Sequence, residues 1–322
     1  MTEFDTFLSD KRVSLLVPLF NERDAVPLFW DQVRANLLSL PVDWEIVFVD
    51  DGSDDGTWEQ LRRVADQAGG HRRVKVVSLR LSRNFGKESA LTAGLLHCTG
   101  DAVVPMDIDL QDPIALIPEM IGKWSEGFDV VLAQRSSRKS DSFLKRTSAS
   151  WFYSIHRVIS EVDIPPDVGD FRLMSRRVVD ALNQLDENQR FMKGIFAWVG
   201  YPTTTVTYER PLRSAGTSKF NFWKLWNFGI EGITSFSTFP LRIFTYLGLA
   251  VSVGAFLYAL YIVVETLVHG ARIPGYASLL TFILFFGGLN LVALGIIGEY
   301  LGRIYYEAKR RPVYIVSDRH ES

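Results

Sequence analysis

The sequence predicts an α/β fold, with a mostly parallel sheet covered by helices on both faces, followed by an interfacial amphipathic helix and a two-helix transmembrane hairpin. Three observations support this: apolar strands alternate with amphipathic helices, several strands are hydrophobic along their whole length, and two long uncharged apolar segments lie near the C-terminus. Alternating strands and helices favour a parallel sheet. Strands that are hydrophobic throughout are typical of a sheet with both faces covered.

The predicted strands are short runs rich in β-branched residues: 14–19, 45–50, 74–79, 102–106 and 129–133. The predicted helices lie between them: 25–38, 57–68, 87–97 and 114–125. Ligands of such sheets bind outside the carboxyl ends of the strands. The polar residues that follow each strand are therefore the candidates for function.

Composition sets broad limits. The chain has 322 residues, a net charge of −2 and one cysteine, Cys98. The charge gives no reason to expect a nucleic-acid partner. One cysteine allows no disulfide within the chain, which fits a reducing compartment, and we expect Cys98 to be a small core residue. Residues 1–11 are polar and acidic and lack the pattern of a signal peptide, so we expect the first domain to stay in the cytosol.

Two C-terminal segments have the length of membrane spans. Segments 243–264 and 279–298 carry no charge, and the second helix is expected to reach about residue 301. At about 1.5 Å per residue each spans roughly 30 Å, the thickness of the hydrocarbon layer. The connector 265–278 is too short for a domain, which predicts a hairpin. The excess of basic residues in the tail, at Arg303 and 309–311, places the tail and the first domain in the cytoplasm.

The remaining parts complete the predicted domain plan. Apolar and aromatic residues at helical spacing, flanked by lysines, predict an interfacial helix within 218–240, with an ordinary core helix as the alternative. Basic residues between 135 and 146 indicate either a solvated loop or a flap that meets anionic ligands. The plan is a first domain over 1–217, the interfacial region 218–240, two spans within 241–303 and a basic tail 304–322. Residues 313–316 indicate a strand that joins a sheet of this subunit or of a neighbour.

An acidic motif follows the fourth strand. If residues 107–111 are extended, Asp107, Asp109 and Gln111 point to one side and present oxygen atoms to a common point. Oxygen ligands suit Mg²⁺ or Mn²⁺, which commonly take further oxygens from a substrate diphosphate. The alternative is an acidic turn that caps the helix beginning near Pro113.

Carboxylates also follow the first two strands. Asp51 is placed to accept hydrogen bonds from a ribose or a base, and Glu22 is placed to face the same cleft. The alternative for the second strand end is a turn in which Asp54 or Asp55 caps the next helix. No G-x-G-x-x-G motif follows the first strand, which disfavours a dinucleotide-binding dehydrogenase.

Together these motifs resemble those of family 2 glycosyltransferases with the Rossmann-like GT-A fold. Within that family the chain resembles the bactoprenol (undecaprenyl-phosphate) glucosyltransferases, which are relatives of dolichol-phosphate mannose synthase. The matching segments extend over nearly the whole chain: 17–22, 49–57, 83–88, 107–113, 168–173, 191–194, 218–220 and the C-terminal hairpin.

The resemblance implies transfer of glucose from UDP-glucose to undecaprenyl phosphate, with inversion, on the cytoplasmic face of the bacterial inner membrane. It also implies a homo-oligomer, with tetramers among the family's assemblies. The uridine would be held by Pro18, Glu22 and Asp51. The metal, Mg²⁺ or Mn²⁺, and the diphosphate would be held by Asp107, Asp109 and Gln111, with Asp107 also serving the donor nucleotide.

The resemblance gives two further sets of residues. Asp109 and Asp170 stand at catalytic positions, Asp170 as a candidate base or acceptor-side carboxylate. Donor or acceptor phosphates would be bound by four residues: Arg172, Arg213, Ser218 and Lys219. The attacking atom is a phosphate oxygen, and a phosphate monoester with a second pKa of about 6 is mostly dianionic at neutral pH. We therefore expect Asp170 to orient groups around the acceptor rather than to remove a proton.

Three alternatives remain open at the level of sequence. The same reaction with mannose, galactose or a modified aminoarabinose fits the same motifs. A processive polysaccharide synthase usually carries a Q-x-x-R-W motif and more spans, and the sequence has neither. A non-enzymatic lipid carrier or scaffold is the third alternative, for which two spans leave little room for a translocation path.

Overall fold

The computed structural model describes residues 7–136, 168–185, 187, 190, 192–208, 239–269 and 275–322. Several predicted features lie outside these residues: the basic residues 138–146, most of the interfacial helix, and the phosphate-binding candidates Arg213, Ser218 and Lys219. They stay predictions.

The described part of the chain forms a mixed sheet of eight strands in the order β7-β5-β6-β4-β1-β2-β3-β8. The strands are β1 (Arg12–Leu19), β2 (Asp43–Asp50), β3 (Val74–Leu81), β4 (Ala102–Pro105), β5 (Val130–Arg135), β6 (Val168–Ser175), β7 (Thr203–Tyr208) and β8 (Val316–Glu321). The central strands β4, β1, β2 and β3 are parallel, and so are β5 and β7. β6 and β8 run antiparallel to their neighbours. The predicted mostly parallel α/β fold is confirmed, and all five predicted strands are present.

Helices follow most of the strands. They are α1 (Ala25–Asn36), α2 (Thr57–Ala68), α3 (Lys87–His97), α4 (Ile117–Ser125), α5 (Arg176–Asn183), α6 (Met192–Trp198), α7 (Phe239–His269) and α8 (Tyr276–Ala308). The predicted bounds of α2 and α3 are confirmed. The helix predicted over 25–38 ends at Asn36, and the one predicted over 114–125 begins as a 3₁₀ turn before it becomes α4.

The two faces of the sheet carry separate cores, which explains the continuous hydrophobic strands. Leu15 belongs to the core beneath α1 and α4, whereas its neighbour Leu16 belongs to the core beneath α3 and α5. Helix α3 packs so closely on β1 that a Cβ added at Gly94 would lie 1.9 Å from Leu16 Cδ1. Cys98, directly after α3, is 4% exposed and is the core residue that the sequence predicted.

Helices α7 and α8 are long and expose apolar side chains. They contain 31 and 33 residues, and Phe256 and Leu267 are 70% and 81% exposed. Within the described residues, one helical segment, Phe285–Ala308, is long and apolar enough to cross a membrane. The other predicted span, 243–264, and with it the two-span hairpin, stays a prediction.

The chain returns to the sheet after α8. Strand β8 pairs antiparallel with β3, with Leu79 opposite Arg319. The sequence indicated a strand at 313–316, but the strand is Val316–Glu321 and it joins the sheet of its own chain. Charged side chains suit this position, because an exposed edge strand rich in charge resists pairing with other chains.

Candidate active site

The loops that follow β1 and β2 are interlocked. The Asn21 backbone N–H donates to Ser53 Oγ at 2.8 Å, and the Asp54 backbone N–H donates to Asn21 Oδ1 at 3.1 Å. The Glu22 backbone N–H donates to Thr57 Oγ1 at 3.0 Å. Asn21 has a positive φ of 55°, a conformation that asparagine tolerates better than most residues. These bonds fix Glu22 at the carboxyl edge of the sheet.

Asp51 joins the loop after β2 to the loop after β3. Its Oδ1 accepts from the Phe85 backbone N–H at 2.7 Å, and its Oδ2 accepts from the Gly86 backbone N–H at 2.8 Å. Burial raises the pKa of Asp51, although these bonds and the nearby Arg83 act in the opposite direction. The neighbouring Gly52 has φ +76°, and a Cβ there would lie 2.5 Å from the Arg83 carbonyl carbon. The approach of the two loops therefore requires glycine at this position.

The neighbouring carboxylates Asp50 and Asp55 have structural partners. Asp50 is fully buried, accepts from the Ser53 backbone N–H at 2.9 Å and lies 3.6 Å from Arg80 Nε. Asp55 accepts hydrogen bonds from the backbone N–H and the hydroxyl of Thr57, the first residue of α2. Asp55 thus supports the first residue of the helix, but the N-cap is Gly56, which makes no side-chain cap hydrogen bond. The alternative in which Asp54 or Asp55 is the N-cap is therefore wrong.

The acidic stretch after β4 is a turn rather than extended chain. Residues 108–109 form the turn, Leu110 has a positive φ of 57°, and the Gln111 backbone N–H donates to Asp109 Oδ1 at 3.1 Å. The premise that Asp107, Asp109 and Gln111 alternate along an extended strand is wrong, because a left-handed residue breaks the two-residue alternation. Asp107 is partly exposed and Asp109 is exposed, so both side chains are accessible to solvent.

Asp112 joins this turn to β7 through a hydrogen bond with Tyr208. Its Oδ1 accepts from the Tyr208 hydroxyl at 2.5 Å, and Arg135 Nε donates to the same hydroxyl at 3.4 Å. Burial and the bond to Asp112 raise the pKa of Tyr208 to about 12. No side-chain hydrogen bond caps the 3₁₀ turn after Pro113, so the alternative of an acidic helix cap does not describe this residue.

Carboxylates from the three loops after β1, β2 and β4 lie within each other's electrostatic field at the edge of the sheet. Burial raises the pKa of Glu22, and the negative charges of Asp109, Asp55 and Asp107 raise it further. Carboxylates held within each other's field favour a cation between them. In the part of the chain that the structure describes, no three His, Cys, Asp or Glu residues form a metal-binding group. A divalent cation at Asp107 and Asp109 would therefore need further oxygen ligands from outside this cluster, such as those of a diphosphate.

Lys87 connects this acidic cluster to Asp170. Its Nζ lies 2.6 Å from Asp107 Oδ1 and 2.7 Å from Asp170 Oδ2. Burial lowers the pKa of Lys87, but the charges of Asp170 and Asp107 outweigh it, so the pKa is raised overall. Asp170 reaches this position because β6 runs antiparallel to β4, with Val103 opposite Met174. The amino end of β6 thus meets the carboxyl end of β4.

Lys87 was missed as a site residue by the sequence reasoning. It lies in the motif 83–88 that supports the resemblance, but the motif alone assigned it no role. The available signal was its position as the first residue of the predicted helix 87–97, directly after Gly86. A lysine at the amino end of a helix faces an unfavourable helix dipole, which is a hint of a nearby anion.

Two other predicted residues are buried. Arg172 is 5% exposed, donates through Nη2 to the Gly169 carbonyl oxygen at 2.6 Å and stacks 4.2 Å above the Phe196 ring. Burial lowers its pKa to about 10, partly offset by Asp170. Pro18 is buried within β1 opposite Val49. The predicted roles of Arg172 in phosphate binding and of Pro18 in uridine binding stay predictions.

Two family models match parts of this chain. A family model described as glycosyl transferase family 2 matches residues 14–182. A second model, described as the GtrB C-terminal hairpin, matches residues 239–304. The chain belongs to glycosyl transferase family 2.

Individual relatives extend over almost the whole chain. The SfII prophage-derived bactoprenol glucosyl transferase of Shigella flexneri is 52% identical over 309 residues, covering 96% of this chain and 98% of the relative. The prophage bactoprenol glucosyl transferase homolog of Escherichia coli K12 is 51% identical over 305 residues, covering 95% and 98%. The putative glycosyltransferase CsbB of Bacillus subtilis is 43% identical, covering 95% and 91%.

Proposed function

We propose that this chain transfers glucose from UDP-glucose to undecaprenyl phosphate, giving a lipid-linked glucose. The names and the full-length similarity of the bactoprenol glucosyl transferases support the lipid acceptor and the glucosyl group, and the family resemblance supports UDP as its carrier. The observation that carries the proposal is that Glu22, Asp107 and Asp109 follow the parallel neighbours β1 and β4, whose carboxyl ends lie at one edge of the sheet. A sugar nucleotide bound there lies where ligands of parallel α/β sheets bind.

On the donor side, Pro18, Glu22 and Asp51 border the uridine site. Both oxygens of Asp51 already accept backbone hydrogen bonds, but each carboxylate oxygen has a second lone pair that can meet a uridine donor. Asp107 and Asp109, with Gln111, would hold Mg²⁺ or Mn²⁺, which when bound neutralises charge on the leaving diphosphate.

On the acceptor side, Asp170 contributes position rather than base catalysis. An oxygen of the acceptor phosphate forms a bond to the anomeric carbon of glucose, the bond from that carbon to the diphosphate breaks, and UDP leaves with the electron pair. The phosphate is mostly dianionic at neutral pH and has no proton that must be removed. The ion pair of Asp170 with Lys87 fits a carboxylate that orients neighbouring groups. Cations would bring the two anionic substrates together, and Arg172, Arg213 and Lys219 are the candidates. The Ser218 hydroxyl would add a hydrogen bond to a phosphate.

The proposal includes a membrane anchor of two helices, α7 and α8, in the bacterial inner membrane. A helix of 31 residues is about 46 Å long, more than enough to cross the hydrocarbon layer. The pairing of β8 with β3 supports a hairpin, because the chain after α8 must lie on the same side of the membrane as the first domain. The catalytic domain 1–217, the interfacial region 218–240 and the tail 304–322 would then be cytoplasmic, with the site near the lipid headgroups. The resemblance also supports a homo-oligomer, with a tetramer as the proposed size.

In the experiment, purified full-length protein is incubated with undecaprenyl phosphate and one labelled sugar nucleotide at a time. The donors are UDP-glucose, UDP-galactose, GDP-mannose and UDP-aminoarabinose. We expect a chloroform-soluble labelled product from UDP-glucose, and its loss when EDTA removes divalent cations. Product from one of the other donors would replace glucose in the proposal. No lipid-linked product from any donor would contradict the enzyme function and favour a non-enzymatic carrier.

A further inference from the structure

Lys87 occupies the place beside Asp107 that a metal ion also needs. Its ammonium nitrogen lies 2.6 Å from Asp107 Oδ1 and 2.7 Å from Asp170 Oδ2, which leaves the nitrogen between the two carboxylates. The backbone on both sides of Lys87 is fixed. The Gly86 N–H before it donates to Asp51, and helix α3 after it packs tightly on β1. The contact with Asp107 is therefore part of the folded site.

A lysine and a divalent cation on the same carboxylate repel each other. Charges a few ångströms apart interact strongly even at the effective dielectric constant of a protein surface. The lysine contact also uses lone pairs of Asp107 that would otherwise coordinate the ion. A bound nucleotide diphosphate offsets the repulsion between Lys87 and the metal ion, because its negative charge gives each of them an anionic partner.

We propose that Lys87 is an internal counter-cation that competes with the divalent metal for Asp107, so that metal and nucleotide diphosphate bind tightly only together. The inference rests on the proposed function for the location of the metal. It goes beyond that function in assigning an order of assembly: metal alone binds weakly, and the diphosphate removes the competition. When the diphosphate binds, Lys87 keeps Asp170 as a partner and gives up Asp107 to the metal.

Two variants separate the charge of Lys87 from its bulk. Lys87→Met keeps an unbranched side chain but removes the charge, so Asp107 becomes free for the metal. Lys87→Arg keeps the charge and should behave as the wild type. Lys75→Met is the matched control, because it breaks the lysine–carboxylate contact of Lys75 with Glu321, 2.5 Å apart at the β3–β8 edge of the sheet.

The experiment titrates Mn²⁺ into full-length detergent-solubilised protein and measures free Mn²⁺ by electron paramagnetic resonance, with and without UDP. Without UDP, we expect Lys87→Met to bind Mn²⁺ about tenfold more tightly than wild type, equivalent to about 1.4 kcal/mol. Lys87→Arg and Lys75→Met should match the wild type. With UDP, the difference in Mn²⁺ affinity between Lys87→Met and wild type should become smaller.

Two results would overturn the inference. In one, Lys87→Met binds Mn²⁺ no more tightly than wild type without UDP. In the other, Lys87→Arg tightens Mn²⁺ binding as much as Lys87→Met, which would show that packing rather than charge is responsible. Failure of the proposed function is a different result, in which wild type binds no Mn²⁺ even with UDP. Since the assay needs neither sugar nor lipid, a wrong donor or acceptor leaves it unaffected.

Discussion

Asp51 and Gly86 are joined by a hydrogen bond of 2.8 Å from the Gly86 backbone N–H to Asp51 Oδ2. The other oxygen, Oδ1, accepts from the Phe85 backbone N–H at 2.7 Å. Gly86 immediately precedes Lys87, the first residue of α3. One carboxylate at the end of β2 therefore sets the position of the lysine that contacts both Asp107 and Asp170.

Replacing Asp51 with asparagine should damage both stability and donor binding. The amide nitrogen of asparagine is a donor and would face one of two backbone N–H groups, leaving that group without an acceptor. We expect the free energy of unfolding to fall by about 1–3 kcal/mol and UDP affinity to fall by about tenfold. Thermal unfolding and calorimetric titration with UDP measure the two effects. Asp31→Asn, at a surface position on α1, is the control, and equal behaviour of the two variants would refute the role given to Asp51.

Gly52→Ala tests the close approach of the loops after β2 and β3. An added Cβ would lie 2.5 Å from a backbone carbon of Arg83, at a φ of +76° that alanine adopts with strain. We expect a loss of stability of about 1–3 kcal/mol from the backbone conformation alone. Gly122→Ala is the matched control, because a Cβ there meets no atom within 4 Å. Equal melting temperatures for the two variants would show that the loops are not constrained as described.

Glu22→Gln tests the field of the acidic cluster. Burial, Asp109, Asp55 and Asp107 raise the pKa of Glu22, so the folded protein holds its proton more strongly than the unfolded chain does. Ionisation of Glu22 therefore lowers stability as the pH rises through the raised pKa. In metal-free buffer at about pH 7, the glutamine variant should melt at a higher temperature than wild type.

The higher melting temperature of Glu22→Gln relative to wild type should disappear below about pH 4, where glutamate is protonated in both folded and unfolded protein. Melting curves recorded across this range provide the test. Glu119→Gln, at an exposed position of α4, should show no such pH-dependent gain. A glutamine variant that is less stable than wild type at neutral pH would contradict the convergence of the carboxylates.

Cysteine labelling tests the two-span anchor. Cys98, the one native cysteine, is 4% exposed, so we expect it to react little with the reagent, and labelling reports the added cysteines. We expect His269→Cys, at the end of α7, to react with a membrane-impermeant maleimide in intact cells. Lys309→Cys, directly after α8, should react only after the membrane is opened. Labelling of both positions from the same side would exclude a hairpin in which each helix crosses once.

The local pattern of the sequence predicted much of the fold and the acidic edge of the site. The strands β1 to β4, and the carboxylates that follow β1, β2 and β4, are predicted by hydrophobic runs that end in polar residues, a signal confined to a few neighbouring residues. The geometry after β4 was not predictable in the same way. Leu110 adopts a positive φ that its residue type does not favour, so alternation along residues 107–111 fails.

Contacts set by strand order could not be read from the sequence. Asp170 meets Asp107 only because β6 inserts antiparallel beside β4, and no local pattern fixes that direction. The role of Lys87 depends on the same arrangement, since one of its two carboxylate partners comes from β6. β8 was placed three residues early because residues 313–316 have the stronger β propensity, whereas the edge of β3 pairs with a more polar segment.

The most direct test of the account compares glucose transfer by Asp109→Ala with that by Asp31→Ala, using UDP-glucose, undecaprenyl phosphate and Mn²⁺. Asp109 is exposed at the acidic edge, whereas Asp31 is a surface carboxylate on α1. The account predicts that Asp109→Ala loses about 100-fold or more of the transfer rate, because loss of a metal ligand removes several kcal/mol of charge stabilisation. Asp31→Ala should retain the wild-type rate. Transfer by Asp109→Ala at the rate of Asp31→Ala would contradict the assignment of the active site to this edge of the sheet.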